Sequence, residues 1–337
     1  MDHTLWKGTL SENDQVELKE KIRDIIIKLD ARGILHSIVS KNRYVDAMKK
    51  LEEFKMDQYF VYPQISWDAK SYGVDKIQKK LNIGMDTIVF IDDQLFELDE
   101  VKSVHSEITC INASEYKTLL THPRLIPQFI TEDSKRRRFM YLENFKREEA
   151  ETAYQGPQKE FLLSLNMRLI ISQAKEEDLK RAEELTIRTN QLNSTGKCYS
   201  YRELEVCRRS SNYKLYVCEL IDKYGSYGKI GLALIEVNES QWFLKLLLMS
   251  CRVMSRGVGT VLLSYIMMQA KQEEKKLLAN FRITERNKMM YITYIFSNFK
   301  ERSNDGKGNI VFENDLSVIQ DYPDYIDVKI DQENIKE

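Results

Sequence analysis

A chain of 337 residues is too long for one ordinary domain, and two domains of roughly 150–180 residues are the natural expectation. Charged residues make up 31% and the formal net charge is −1, so no global field recruits nucleic acid and none is expected as a partner. Five cysteines without paired spacing fit a reducing cytosol, no apolar run approaches membrane-spanning length, and no signal-peptide pattern opens the chain; the expected setting is cytoplasmic, with no membrane partner.

Met1-Asp2-His3-Thr4-Leu5-Trp6 is a motif-like cluster with no strand-forming stretch ahead of it. A helix is expected from about Asp14 to Arg32, burying Val16, Ile22, Ile25, Ile26 and Leu29 and stopped by Gly33. A short strand, Ile34–Val39, ends at Ser40-Lys41-Asn42. Tyr44–Phe54 reads as helix, Tyr59–Ile65 as strand, and Trp67-Asp68-Ala69-Lys70 opens a helix to Leu81. From Thr87 to Ile91 every residue is β-branched or aromatic, the pattern of a strand covered on both faces in a parallel sheet. The run stops at Asp92 and Asp93, before a helix over Leu95–Val101.

In open parallel sheets ligands bind beyond the carboxyl ends of strands, which puts Asp92 and Asp93 at the crevice. Paired carboxylates there suit Mg2+, a hard cation that takes oxygen ligands. On this stretch alone a second reading stays open, in which Asp93 caps the following helix and binds nothing.

After a last short strand, Ile108–Ile111, the chain reads as largely helical. Lys135-Arg136-Arg137-Arg138 is the one basic run and, with Glu132 and Asp133 before it, reads as a solvated helix face. Arg136–Ala153 is highly charged with few apolar anchors and reads as a connector, broken at Gln155-Gly156-Pro157. The expected division is 1–135, a connector over 136–157, and a second domain over 158–337. In that domain strand Met167–Gln173 and helix Glu176–Asn190 precede strands Tyr213–Asp222, Lys229–Asn238 and Trp242–Ser250, with Tyr224–Gly228 as the first turn. A helix from Arg256-Gly257-Val258-Gly259 to about Lys275, strand Leu277–Ile283 and helix Met289–Phe299 follow.

Strand, glycine turn and helix form an arrangement that faces backbone N–H groups toward an anion, making Ser255, Arg256, Gly257, Val258 and Gly259 candidates for holding a phosphate. A lone Gly-x-Gly is a weak signal and more often marks a tight turn. Arg188, Asn190, Gln191 and Asn193 crowd hydrogen-bonding groups at a helix end, beyond what capping needs, and are candidate substrate-binding residues. Cys251 lies between a strand end and a helix N-terminus beside Arg252, a setting that favours a thiolate and a thioester-forming nucleophile; the other reading is a buried structural cysteine. Cys198 is a weaker rival, and Cys110, Cys207 and Cys218 lack nearby catalytic groups.

Asp2-x-Thr4, Ser40 at a strand end, Lys70 at a helix start and Asp92-Asp93 resemble the four motifs of the haloacid dehalogenase (HAD) superfamily of phosphotransferases. More narrowly, Asp2–Trp6, Arg32-Gly33-Ile34-Leu35, Ser40-Lys41-Asn42, Asn82-Ile83-Gly84, Val89–Gln94, Thr131-Glu132-Asp133, Arg188–Asn193 and Leu248–Gly259 together resemble the FkbH-like family, in one order along nearly the whole chain. The resemblance implies an α/β chain, with a HAD-like Rossmannoid parallel-sheet domain followed by a GNAT-like acyltransferase domain. It implies Asp2 as general acid/base, Ser40 as phosphate donor, Lys70 as charge clamp, and Asp2, Asp92 and Asp93 as Mg2+ ligands. It also places an aspartate nucleophile two residues ahead of Asp2, and this chain begins one residue before Asp2. The expectation is a longer natural protein, or else a form without the phosphatase step. Met254 stands where the coenzyme A loop usually has Gln or Arg, so a carrier protein's phosphopantetheine and coenzyme A both stay open as occupants. The implied activity removes phosphate from 1,3-bisphosphoglycerate and loads the glyceryl group onto an acyl carrier protein, for polyketide or nonribosomal peptide extender units. Two alternatives are an acyl-CoA-dependent GNAT transferase with a vestigial HAD domain, and a non-catalytic scaffold that docks the carrier.

Overall fold

The computed structural model describes residues 1–12 and 15–331, and the chain divides into two compact units, Met1–Phe145 and Lys146–Glu337. Among the described residues no helix is long and apolar enough to cross a membrane.

In the first unit, β1 (Trp6–Lys7) pairs antiparallel with β2 (Glu17–Leu18). The helix expected from Asp14 begins only at Ile22; Asp14 itself lies outside the described residues, and Glu17 and Leu18 are committed to β2. Helix α1 (Ile22–Ala31) buries Ile22, Ile25, Ile26 and Leu29, one stripe of a 3.6-residue period. It stops at Gly33, whose φ is 78°; a Cβ there would lie 2.5 Å from the Ser134 carbonyl oxygen, so both conformation and space require glycine.

Strands β3 (Val39–Ser40) and β4 (Gln64–Ile65) pair in parallel, with α2 (Tyr44–Glu53) between them. Both strands are shorter than the apolar runs suggest. His36 makes only an isolated bridge to Phe60, and Tyr62 takes a left-handed φ of 49° that interrupts the second run. Helix α3 (Lys70–Leu81) leads to β5 (Val89–Asp92), which pairs in parallel with β6 (Thr109–Asn112) across α4 (Leu95–Val104).

Helices α5 (Glu132–Lys135) and α6 (Arg137–Ala153) carry the basic run, and its end is not a solvated face. Arg138 is buried and grips Asp30 through both Nε and Nη2, at 2.9 and 3.2 Å, while Arg137 Nη1 donates to the Gly33 carbonyl. The charges are anchors because each donor finds a fixed acceptor on an element already in place.

The second unit is built on an eight-stranded sheet. Its strands are β7 (Met167–Gln173), β8 (Tyr213–Asp222), β9 (Gly225–Val237), β10 (Gln241–Met249), β11 (Lys276–Arg282), β12 (Lys300–Asn304), β13 (Asn309–Asn314) and β14 (Ile326–Asp331). Their spatial order is β12-β13-β11-β10-β9-β8-β7-β14; the β10–β11 and β7–β14 pairs are parallel and the others antiparallel. The β8–β9 turn comes earlier than the glycines suggest, since Asp222 already pairs with Gly225.

Side chains alternate between two cores. Leu215 and Val217 join α8 (Leu179–Arg188) and α9 (Tyr201–Arg209) on one face. Tyr216 and Cys218 join α7 (Gln158–Ser164), α10 (Val258–Gln272) and α11 (Lys288–Phe296) on the other. The charged stretch before Pro157 holds an anchor that composition alone did not suggest. Arg147 is fully buried, with Nε and Nη2 at 2.7 and 2.8 Å from the Asp222 carboxylate.

Candidate active site

The ends of β3 and β5, the amino-terminal segment and the start of α3 bring the motif residues of the first unit together. Ser40 and Asp92 are the last residues of their parallel strands, and Lys70 is the first residue of α3. All three are buried. Lys70 Nζ donates to Asp92 Oδ2 at 2.6 Å, and Asp92 Oδ1 accepts the Gln94 N–H at 3.1 Å.

Asp2 is held at both oxygens. Oδ1 accepts from Trp6 Nε1 at 2.8 Å and from the Leu10 N–H at 3.3 Å; Oδ2 accepts from Asn42 Nδ2 at 3.0 Å. Asn42 Nδ2 also donates to Ser40 Oγ at 3.2 Å, and Thr4 Oγ1 donates to Asp93 Oδ1 at 3.2 Å. Asp93 is not the helix cap: the N-cap of α4 is Gln94, and the Asp93 carboxylate turns to Thr4 instead.

The buried Met1 amino group reports on this cluster. Burial lowers its pKa, Lys70 pushes the same way, and Asp2, Asp92 and Asp93 oppose them, so all four side chains act on one point. Beside the cluster Lys41 Nζ pairs with the buried Glu97 at 2.9 Å. Sequence reasoning gave no role to Asn42, although an amide two residues past a strand end is well placed to orient a carboxylate.

Among the described residues no three His, Cys, Asp or Glu side chains are placed as a ready metal cage. The donor chemistry nevertheless suits Mg2+, which takes one or two carboxylates and completes its octahedron with water and phosphate oxygens.

In the second unit Cys251 is exposed, in a 3-10 turn (Cys251–Arg256) between β10 and α10. Its exposure removes the reading as a buried structural cysteine. Ser255 is exposed, and Gly257, with φ 74°, is the N-cap of α10. Val258 is buried in the first turn of α10, and a Cβ added at Gly259 would meet nothing within 4 Å. Arg256 turns inward, its Nη2 2.9 Å from Glu151 and its guanidinium 5.7 Å from the Phe161 ring centroid.

The four polar residues at and beyond the end of α8 separate. Arg188 pairs with the buried Glu184 at 3.1 Å, and Asn190 and Gln191 are exposed. Asn193 is buried, with Oδ1 accepting the N–H groups of Thr195 and Gly196 at 3.1 and 2.9 Å.

The family model of haloacid dehalogenase-like hydrolases matches residues 4–111. No curated protein matches the chain. Among solved structures, the ribosomal-protein-S18-alanine N-acetyltransferase of Escherichia coli is 15% identical, covering 45% of this chain and 97% of its own, with a TM-score of 0.36. Ard1 of Thermoplasma volcanium is 11% identical over 43% of this chain and 94% of its own, with a TM-score of 0.33. The N-terminal part of BF1531 from Bacteroides fragilis, containing a phosphatase domain complexed with Mg, is 23% identical over 38% of this chain and 39% of that one, with a TM-score of 0.35. Residues 4–111, at the amino-terminal end of the chain and within the first unit, thus match haloacid dehalogenase-like hydrolases.

Proposed function

We propose that the first unit carries out Mg2+-dependent phosphoryl chemistry on a small phosphorylated substrate, and that the whole chain moves a glyceryl group from 1,3-bisphosphoglycerate to the phosphopantetheine thiol of an acyl carrier protein. The observation that carries the first half is the buried Lys70–Asp92 pair inside the cluster of Asp2, Ser40, Asn42 and Asp93. Phosphoryl transfer is mostly positioning and charge neutralisation, and this cluster supplies both. Lys70 would meet a phosphate oxygen, Ser40 Oγ would donate to another, and Asp2, oriented by Trp6 and Asn42, would pass a proton to or from the reacting oxygen. Asp92 and Asp93, with Asp2, would hold the Mg2+, which when bound neutralises the phosphate's charge. The second half follows the motifs of the FkbH-like family, with Cys251 as the thiol that accepts the glyceryl group before the carrier.

The test is mass spectrometry of a phosphopantetheinylated carrier protein incubated with 1,3-bisphosphoglycerate and Mg2+. It is run on this chain and on a form extended at its amino terminus to supply the aspartate that the resemblance implies. A carrier gaining one glyceryl mass supports the reading. Neither phosphate release nor loading by either form ends it, and consumption of acetyl-CoA with an amine acceptor would replace it with an ordinary acyltransferase.

A further inference from the structure

Strands β10 and β11 are parallel and pair only from Gln241↔Lys276 to Leu244↔Ala279. A bulge between Leu244 and Leu246 follows, where pairing to β11 ends while pairing to β9 continues to Met249. Such a seam in the middle of a sheet leaves backbone donors and acceptors that must find partners. It is also where an extended, amide-bearing ligand can add itself as a strand would. The pantetheine arm of coenzyme A, or of a carrier protein, is a ligand of that kind.

The seam already has an occupant. The Leu192 carbonyl accepts the Met249 N–H at 2.8 Å, and the Ser194 N–H donates to the Leu247 carbonyl at 2.9 Å. Ser194 Oγ accepts the Leu247 N–H at 3.0 Å. On the β11 side, the Ser194 carbonyl accepts the Arg282 N–H at 2.9 Å. Asn193 faces Leu248 in an antiparallel bridge, and all three residues are buried. Asn287, itself buried, ties the segment to the end of β11: its Nδ2 donates to the Asn193 carbonyl at 3.0 Å and to the Arg282 carbonyl at 2.8 Å.

We propose that Leu192–Ser194 is an internal strand that closes the β10–β11 seam and keeps coenzyme A or a phosphopantetheine arm from binding there. The neighbouring turn agrees with this. Arg256 is directed at Glu151, Arg252 Nη2 donates to the Tyr227 carbonyl at 3.0 Å, and Met254 offers no donor to a pyrophosphate. An arm entering the seam would have to displace bonds to both strands. A carrier thiol therefore meets the second unit outside the seam, on the surface where Cys251 is exposed. The inference stands apart from the phosphoryl chemistry of the first unit, since it uses no residue of that site.

Amide hydrogen exchange on the full chain reads the seam directly. The N–H groups of Leu247, Met249 and Arg282 should exchange at least about 100-fold more slowly than unprotected amides. Coenzyme A up to about 1 mM should neither change those rates nor give a saturable binding signal. Ser194→Ala removes only the hydroxyl acceptor, so Leu247 should exchange at least about tenfold faster while Met249 and Arg282 stay slow. Free-chain exchange at Met249 and Arg282 in the unmodified protein would show an open seam and overturn the proposal. Saturable coenzyme A binding within that range that alters exchange at these amides would overturn it as well.

Discussion

Lys70 Nζ lies 2.6 Å from Asp92 Oδ2, and the two side chains are 9% and 4% exposed. Charges this deep are desolvated at considerable cost, which mutual attraction offsets only while both are present. The pair therefore makes an asymmetric prediction. Lys70→Met leaves a buried carboxylate that keeps its bond from the Gln94 N–H but loses its cation, and should destabilise the first unit by about 3–5 kcal/mol. Adding Asp92→Leu to Lys70→Met should recover most of that loss. A double-mutant cycle by urea unfolding, followed through the buried Trp6, checks it; a double variant as unstable as Lys70→Met alone contradicts it.

The second unit holds a still more enclosed pair. Asp222 accepts two bonds from Arg147, the N–H groups of Tyr224 and Gly225, and the Tyr227 hydroxyl at 3.2 Å, while the guanidinium lies 3.9 Å from the Tyr227 ring centroid. Arg147→Ala should cost about 3–5 kcal/mol, and Arg147→Lys should restore little, because an ammonium can neither fork nor stack as the planar guanidinium does. Urea midpoints of the two variants decide the point, and a lysine variant close to the unmodified protein would show that charge alone suffices.

The elements that the sequence made legible are those where pattern and packing agree. Val89–Ile91 is apolar because β5 is covered on both faces, and β7 and β8 run over the residues that their alternation marks. Strand β4 is shorter than its apolar run because of the left-handed turn at Tyr62, which nothing in the residues signals, and ahead of β3 the run pairs only at the isolated His36–Phe60 bridge. Strand β12 (Lys-Glu-Arg-Ser-Asn) is exposed throughout at a sheet edge, so no apolar alternation betrays it. Helix α9 was overlooked although Ser200 and Glu203 form a capping box that could have marked its start. In the first unit the separate motif stretches converge, whereas Asn42 escaped notice because its work, steadying Asp2, exists only in three dimensions. Asn193 reads in sequence as a ligand-binding group; in the fold its backbone bridges Leu248 and its Oδ1 accepts the N–H groups of Thr195 and Gly196, an arrangement that no local pattern signals.

His36 gives a pH prediction. Both ring nitrogens are buried without hydrogen-bond partners, and burial lowers its pKa from 6.5 to about 4, against the opposing pull of Asp30. The unfolded chain therefore binds a proton at a pH where the folded one resists it. The associated stability is fully present above pH 6.5 and is lost as pH falls toward 4, by about 3 kcal/mol in all. Unfolding free energies of the unmodified protein and of His36→Leu, measured across this window, should diverge by that amount. Parallel curves would show that acid lability in this range comes from other groups.

Cys251 carries the last prediction. Of the five cysteines only Cys198 and Cys251 are exposed, while burial pushes the Cys218 thiol up to about 12 and also raises Cys110 and Cys207. Alkylation by iodoacetamide should accordingly mark Cys198 and Cys251 first and leave Cys218 untouched in the folded protein. Because Cys251 lies just past the end of β10, in the turn before α10, its removal costs little packing, and Cys251→Ala should shift stability by no more than about 0.5 kcal/mol. If the glyceryl group passes through a thioester, one difficult transfer is divided into two, with the C1 phosphate leaving as the thiol takes the glyceryl group. The same variant should then lose carrier loading while release of the 3-phosphate continues, leaving glyceryl phosphate that water hydrolyses to glycerate. Cys198→Ala, at the other exposed cysteine, serves as the control and should load the carrier normally. Loading by Cys251→Ala at the unmodified rate would assign the transfer to a direct attack by the carrier thiol, with no protein thioester between the two substrates.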